Sequence, residues 1–262
     1  MAVFVPPLHQ QEGRVADVSD QMNKTAIVTG GARRIGAAIC RHLHACGLDV
    51  IIHYHTSDAA AEALAVELET QRPGSVRLLK ADLAEVVFED LVREALTFND
   101  RIDVLINNAS LFYPTPLDDL SEDNWQEMLN INLKAPLCLA RCAADYLARQ
   151  SGCIINITDI YAEIPLADYI IYSLTQSGLT RMTRQLARDL APGIRVNAIA
   201  PGAILWPEHR PAGHEQAILE RIPLQRIGDV MDIARAAEFL INDAGYLTGQ
   251  VITVDGGRRL NF

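Results

Sequence analysis

Ile27-Val28-Thr29-Gly30-Gly31-Ala32-Arg33-Arg34-Ile35-Gly36-Ala37-Ala38 is the stretch whose reading decides the fold. A short β-branched apolar run meets two glycines, and apolar residues at helical spacing (Ile35, Ile39, Leu43) begin straight after Arg33. The pattern predicts a strand, a tight turn and a helix N-terminus. Glycine lets the backbone turn sharply and approach a phosphate, while the free N–H groups of the first helical turn face it. Such a turn is common in α/β proteins, so its meaning depends on what lies downstream.

Outward from the turn, strands and helices alternate. Strands are expected at 25–29, 50–54, 76–81, 104–106, 153–157, 194–199 and 251–254. Helices are expected at 34–46, 59–68, 88–96, 132–149, 171–190 and 231–241, with another opening at Asn124 behind a Ser121 cap. Right-handed crossovers convert that alternation into an α/β, single-domain, Rossmann-type doubly wound parallel sheet with helices on both faces. Its ligand crevice lies beyond the carboxyl ends of the strands, where strand order reverses. Residues 1–22, with Pro6, Pro7 and Gly13, are polar and aperiodic and read as a flexible tail before a domain at 23–262.

Composition narrows the function. The 262 residues carry 33 acidic and 23 basic side chains, a net charge of −10, and no basic block. Nucleic acid and anionic membrane surfaces are therefore excluded as expected partners. No apolar run approaches the ~18 residues of a membrane span, and the first residues lack a basic segment and a long apolar one, so a cytoplasmic location is expected. The five cysteines are an odd set without C-x-x-C spacing. Cys138 and Cys142 stand at i,i+4, but no histidine accompanies them, so reduced buried thiols and no metal site are expected.

The unusual residues cluster at strand ends. After the second strand come His53-Tyr54-His55-Thr56-Ser57, with no carboxylate until Asp58. An acidic residue there would bind the adenosine ribose hydroxyls and repel a 2′-phosphate; hydroxyls and imidazoles can donate to one, which favours NADP(H) over NAD. Asp82-Leu83 ends the third strand where an adenine would lie. Asn107-Asn108-Ala109-Ser110 ends the fourth, beneath a ribose and nicotinamide.

Together, Thr29-Gly30 with Gly36, Asn107-Asn108-Ala109, Tyr172 and Pro201-Gly202 resemble the short-chain dehydrogenase/reductase family over about residues 24–258. Within it, the chain looks most like the pteridine reductases and dihydromonapterin reductases. Like them it has Arg34 in place of the middle glycine of the turn, the His-Tyr-His run, and Ser110, Phe112 and Tyr113 in an Asn-Asn-Ala-Ser-x-Phe-Tyr-Pro-Thr-Pro segment. It also has Asp159 where most relatives carry a catalytic serine, thirteen positions before Tyr172. The resemblance implies a homotetrameric reductase that uses NADP(H) to reduce a small-molecule pterin or folate. It assigns catalysis to Asp159, Tyr172, Asn132 and the position of Gln176. It assigns the cofactor to Gly30, Arg33, Arg34, Ile35, Gly36, His53, Tyr54, His55, Ser57, Asp82, Leu83, Asn108, Ala109, Ser110, Tyr172, Gln176, Pro201, Gly202, Ala203 and Ile204. The substrate falls to Arg34, Ser110, Phe112, Asp159, Tyr172, Leu205 and Trp206.

A flat pterin suits these residues, since its ring can stack on Phe112 and its ring donors can meet Ser110. One departure stands out. The family's Tyr-x-x-x-Lys reads Tyr172-Ser173-Leu174-Thr175-Gln176, so the cation that would lower the tyrosine's pKa is replaced by an amide. Trp206, in the loop after Pro201-Gly202, reads equally as a pocket wall or an interface aromatic, and Arg258 or Arg259 as reaching a neighbouring subunit. A general carbonyl or 3-oxoacyl reductase, and a catalytically impaired NADPH or pterin binder, remain the alternative readings.

Overall fold

The computed structural model describes residues 24–205 and 214–261. The expected tail at 1–22 and Trp206 lie outside the described residues. Seven strands, β1 (Thr25–Val28), β2 (Asp49–Tyr54), β3 (Val76–Lys80), β4 (Val104–Asn107), β5 (Cys153–Ile157), β6 (Arg195–Pro201) and β7 (Val251–Val254), form one sheet in the order β3-β2-β1-β4-β5-β6-β7. Every pairing is parallel, and order reverses between β1 and β4. The doubly wound sheet expected from the alternation is present.

Strand parity divides the core into two layers. Ala26, Val28, Val50, Ile52, Val104 and Ile106 face one side; Ile27, Ile51, Leu105 and Ile154 face the other. The first layer is closed by α1 (Arg34–Ala45), α2 (Asp58–Gln71) and α8 (Val230–Asn242). The second is closed by α3 (Phe88–Asn99), α5 (Ala135–Arg149) and α6 (Ile170–Asp189). Ile51 and Ile52 are completely buried, and each such side chain stabilises the fold by about 1.5–3 kcal/mol relative to an exposed one.

Two local differences from the expected elements have physical causes. The α2 helix runs three residues past Leu68, because polar residues on its exposed side continue it after the apolar spacing stops. The helix expected from residue 132 instead begins as a π-helical turn, Asn130–Lys134, that joins α4 (Glu122–Leu129) to α5. Ser121 does cap α4, accepting from the Asn124 N–H at 3.2 Å. A short α7 (His214–Leu219) was not expected; it sits in the Pro-rich connection before α8.

The amino ends of the strands are tied by structural contacts. Asp103 accepts from the Thr25 N–H at 2.8 Å and from Arg101, and Asp49 accepts from Arg72 and Asn99. The carboxyl ends are where polar groups remain for a ligand.

Candidate active site

The turn between β1 and α1 is built on close approach. A Cβ on Gly36 would lie 2.2 Å from the Gly30 carbonyl oxygen, and one on Gly30 would meet the Ala109 Cα at 3.0 Å. Gly30 also holds φ +60°, a left-handed conformation. The turn is then clamped to β4. The Thr29 hydroxyl accepts from the Asn108 and Ala109 N–H groups at 2.9 and 3.0 Å, and the Asn108 amide donates to the Thr29 and Gly30 carbonyls. Asn108 therefore fixes the shape of the turn, and its side chain is spent on protein. Among the described residues no side chain caps α1, and its first turn carries no acid. Tight glycines, an uncapped helix start and two exposed arginines fit a dinucleotide pyrophosphate.

Arg34 adapts that turn. It occupies the position of the middle glycine with φ +54°, a conformation costly for a side-chain-bearing residue. Arginine at a position that favours glycine puts an exposed cation at the start of α1 at the expense of local strain.

On the adenosine side the structure corrects two expectations. His53 is buried, its Nδ1 accepting from the Gly30 N–H at 3.3 Å and its Nε2 facing the Ala81 carbonyl at 3.2 Å. Burial pushes its pKa down to about 4, so the ring is neutral and both nitrogens are occupied. His53 braces the glycine turn and offers nothing to a 2′-phosphate. Tyr54 packs into the apolar layer with Val50 and Ile52, because strand parity puts it on their face. The groups left at this end are exposed His55 and Thr56 and half-buried Ser57. The first carboxylate after the strand, Asp58, is bound by Lys80 at 2.5 Å, so its charge is paired. Asp82 turns back to the Ala84 N–H at 2.9 Å and lies 3.6 Å from His55, and Leu83 is buried.

The chemistry gathers at the ends of β4 and β5 and on the first turns of α6. The Tyr172 hydroxyl donates to Asp159 at 2.9 Å. Asp159 also accepts from the Tyr161 N–H at 2.9 Å, opening the short helical turn Ile160–Ala162. Burial drives the Asp159 pKa up to about 6, against the lowering effects of those hydrogen bonds and of the Arg258 charge. Burial and the neighbouring carboxylate raise Tyr172 well above 10. Gln176 lies one turn beyond Tyr172, 1% exposed, with its Oε1 lacking a partner among the described residues. A buried amide oxygen without a donor is costly unless a ligand hydroxyl satisfies it, and a nicotinamide ribose fits that need. Asn132, held in the π-helical turn, accepts from the Leu111 N–H at 2.8 Å and donates to the Leu111 carbonyl and to Thr175. It anchors the segment that carries Ser110 and Phe112.

Phe112 stacks on Tyr169 at 4.6 Å and meets Tyr172 edge-on at 4.8 Å, yet it is 55% exposed. An aromatic face left open beside the proton-bearing pair is a platform for a flat substrate. Ser110 is exposed beside it. After β6, Gly202 comes so close to Asp255 that a Cβ would lie 2.6 Å from its Cβ, and Ile204 is buried in the core while Leu205 remains exposed. Tyr161 and Tyr169 belong to this site but were not singled out by the sequence, while Thr29 was named only within the glycine-turn motif and Arg258 only as reaching a neighbouring subunit. Arg258 does not extend outward within this chain: it donates to the Tyr161 hydroxyl at 2.8 Å and lies over that ring.

A switch-point crevice with a glycine turn, a tyrosine on a helix and a polar partner at the next strand end defines a nicotinamide-dependent oxidoreductase of the Rossmann class. Comparison with known proteins agrees. A family profile described as "Enoyl-(Acyl carrier protein) reductase" matches residues 30–259. The 3-oxoacyl-(acyl-carrier-protein) reductase FabG of Staphylococcus epidermidis is 35% identical over 242 residues, 90% of this chain and 99% of that protein. The uncharacterized oxidoreductase YmfI of Bacillus subtilis is 33% identical over the same shares. The 3beta-hydroxysteroid dehydrogenase 1 of Eggerthella lenta is 33% identical over 92% of this chain and 95% of its own. The chain belongs to the short-chain dehydrogenase/reductase family of NAD(P)-dependent oxidoreductases. The FabG relatives support the general-reductase alternative more than the pterin likeness.

Proposed function

We propose that this protein is an NADPH-dependent reductase whose proton is delivered by the Asp159–Tyr172 pair to a flat, pterin-type C=N substrate lying on Phe112. The observation that carries the reading is the 2.9 Å hydrogen bond from Tyr172 to a carboxyl group whose pKa is pushed up to about 6. NADPH, when bound, supplies the hydride; the chain must hold the acceptor and deliver one proton. With Asp159 ionised, the tyrosine proton points into the carboxylate and away from substrate. With Asp159 protonated, the carboxyl can donate to the Tyr172 oxygen, and the phenol O–H is free to turn toward the acceptor nitrogen. The protonated pair is thus the competent acid, tuned close to working pH.

His55, Thr56 and Ser57 after β2 and the exposed Arg33 and Arg34 of the turn offer donors, and Asp58 is paired with Lys80, which supports NADPH over NADH. Gln176 supplies polar contact to a ribose but no charge. Location in the cytoplasm and assembly as a homotetramer are part of the proposal, and light scattering tests the assembly.

A second reading, reduction of a 3-oxoacyl thioester, is favoured by the FabG relatives. The same hydride and proton would serve a ketone. The test follows NADPH oxidation with dihydrobiopterin, dihydromonapterin, dihydrofolate and a 3-oxoacyl thioester in parallel. A kcat/KM at least about a hundredfold higher for a dihydropterin is expected, the discrimination a site built on polar contacts can give. The reverse preference establishes the second reading. NADPH binding without turnover of any of the four establishes an impaired binder.

A further inference from the structure

We propose that His42, Cys46 and Glu238 form a site for a divalent cation of the zinc type, with three protein ligands and a fourth position open to solvent. The His42 Nε2, the Cys46 sulfur and a Glu238 carboxylate oxygen all lie within 4.8 Å of one another. His42 and Cys46 stand at i,i+4 at the end of α1, so one helical turn stacks them on the same face. Glu238 comes from α8, which packs against α1 through Ile39 and Leu43 on one side and Ala234, Ala237 and Ile241 on the other. The cluster sits at the edge of that apolar seam. All three residues are partly buried, so the groups are held in place while solvent still reaches them.

The donor set chooses the ion. One sulfur, one imidazole nitrogen and one carboxylate suit zinc and its neighbours, whereas calcium and magnesium require oxygen alone. Three protein ligands with an open position are the arrangement of reactive rather than closed zinc sites. His42 and Glu238 are now 2.6 Å apart, hydrogen-bonded. Ligands around a tetrahedral ion stand about 3.3–3.8 Å apart, so Glu238 must swing off the imidazole by about 1 Å. Its side chain is 35% exposed, which leaves room on the solvent side for that movement once the ion replaces the hydrogen bond to His42. On binding, the imidazole proton moves to Nδ1, the thiol releases its proton to solvent, and the sulfur and carboxylate charges neutralise the ion. Arg41, the cation next in sequence, does not oppose this, since it is held by Glu67 at 2.8 Å. The cluster lies about 12–18 Å along α1 from the glycine turn, outside the cofactor crevice.

The test uses untagged, metal-stripped protein titrated with Co²⁺, which reports thiolate ligation by a near-ultraviolet charge-transfer band. The expected result is a band that saturates at one ion per chain and is displaced by Zn²⁺. Cys46→Ser should abolish it, a Cys138→Ser/Cys142→Ser double variant should keep it, and His42→Gln or Glu238→Gln should weaken binding by at least about tenfold. Zinc at about a hundredfold excess over Kd should raise the Tm of the wild type by about 5 °C or more and leave Cys46→Ser unmoved. Absence of a band at millimolar Co²⁺, or a band that survives Cys46→Ser, overturns the proposal and leaves an interhelical His–Glu clamp. Should Cys46→Ser fail to fold, His42→Gln and Glu238→Gln decide: a Kd for Co²⁺ raised at least about tenfold in both supports the site, and an unchanged Kd in either refutes it.

Discussion

Replacing Asp159 by asparagine should make the protein more stable and less active at the same time. The carboxyl pKa rises from 3.8 to about 6 on folding, chiefly through burial. At about 1.4 kcal/mol per unit, holding the ionised group in the fold costs about 3 kcal/mol at neutral pH. Asp159 keeps some contact with solvent, which reduces the figure to about 1–3 kcal/mol. The sign follows from linkage. A folded-state pKa above the unfolded one means that the native state binds the proton more tightly. That stabilisation is complete below pH 3.8 and is lost as pH rises through about 6. Asparagine can keep its Oδ1 as the acceptor for the Tyr161 N–H and turn its amide N–H to the Tyr172 oxygen, which then accepts, but it never ionises and cannot pass a proton on. Asp159→Asn should therefore melt about 2–10 °C above wild type at pH 8, with roughly half of the gap gone by pH 5. Differential scanning calorimetry across that range measures it. Turnover should fall by about 10²–10⁴, the range for loss of an acid–base component, with NADPH affinity unchanged. A variant less stable than wild type at pH 8, or a gap that does not shrink toward pH 5, would refute the reasoning.

Gln176→Lys should raise kcat more than it tightens NADPH binding, because the amide already offers polar contact and only lysine adds charge; an unchanged kcat shows that the carboxyl route suffices. Arg34→Gly should relieve the φ +54° strain and stabilise the fold by about 1 kcal/mol, while narrowing the preference for NADPH over NADH in cofactor titrations. Gly36→Ala should abolish cofactor binding or folding, since the added carbon would lie 2.2 Å from the Gly30 oxygen; retained NADPH binding contradicts the close-packed turn. A chain starting at Met22 should keep wild-type activity and melting temperature, and loss of either shows that the preceding residues contribute to the fold.

The sheet was legible because its evidence is local and repeated. Each strand is a short apolar run and each helix a period of three to four; Ala26, Ile27 and Val28, all buried, alternate between the two layers as a strand covered on both faces requires. The Ser121 cap was legible for the same reason, whereas the pairing of Asp159 with Tyr172 was implied by the family resemblance alone. His53 was misjudged because sequence does not say whether a strand-end side chain turns to solvent or back beneath a loop. Tyr54 carried a usable signal, its parity with Val50 and Ile52, which outranks its nearness to the crevice. The π-helical turn around Asn132 has the composition of an ordinary helix, and the contacts Asn132 makes from it, to the Leu111 backbone and to Thr175, are long-range. Contacts such as Arg258 with Tyr161, 97 residues apart, have no trace in the local pattern.

The charges in the site explain its departures from the family pattern together. Lysine beside the tyrosine helps most when a tyrosinate must form, because a cation lowers the phenol's pKa. Here the lysine position holds an amide and the serine position a carboxyl, so the group proposed as catalytic has one positive charge fewer and one ionisable acid more than the family pattern. Tyr172 accordingly sits well above 10, where a phenol donates but does not abstract a proton near neutral pH. Among the described residues, the cation whose charge reaches Asp159 is Arg258, and it is held through the Tyr161 hydroxyl rather than placed against the carboxyl, lowering that pKa without cancelling the effect of burial. An enzyme cannot alter an equilibrium, but it sets the pH at which each direction runs. This pair suits the direction that consumes a proton, and it works best where Asp159 still carries one. Rate should therefore fall as pH rises through about 6, and removing the guanidinium in Arg258→Met should move that limb upward, toward neutral pH. A limb that stays in place would mean that the arginine only anchors the chain end.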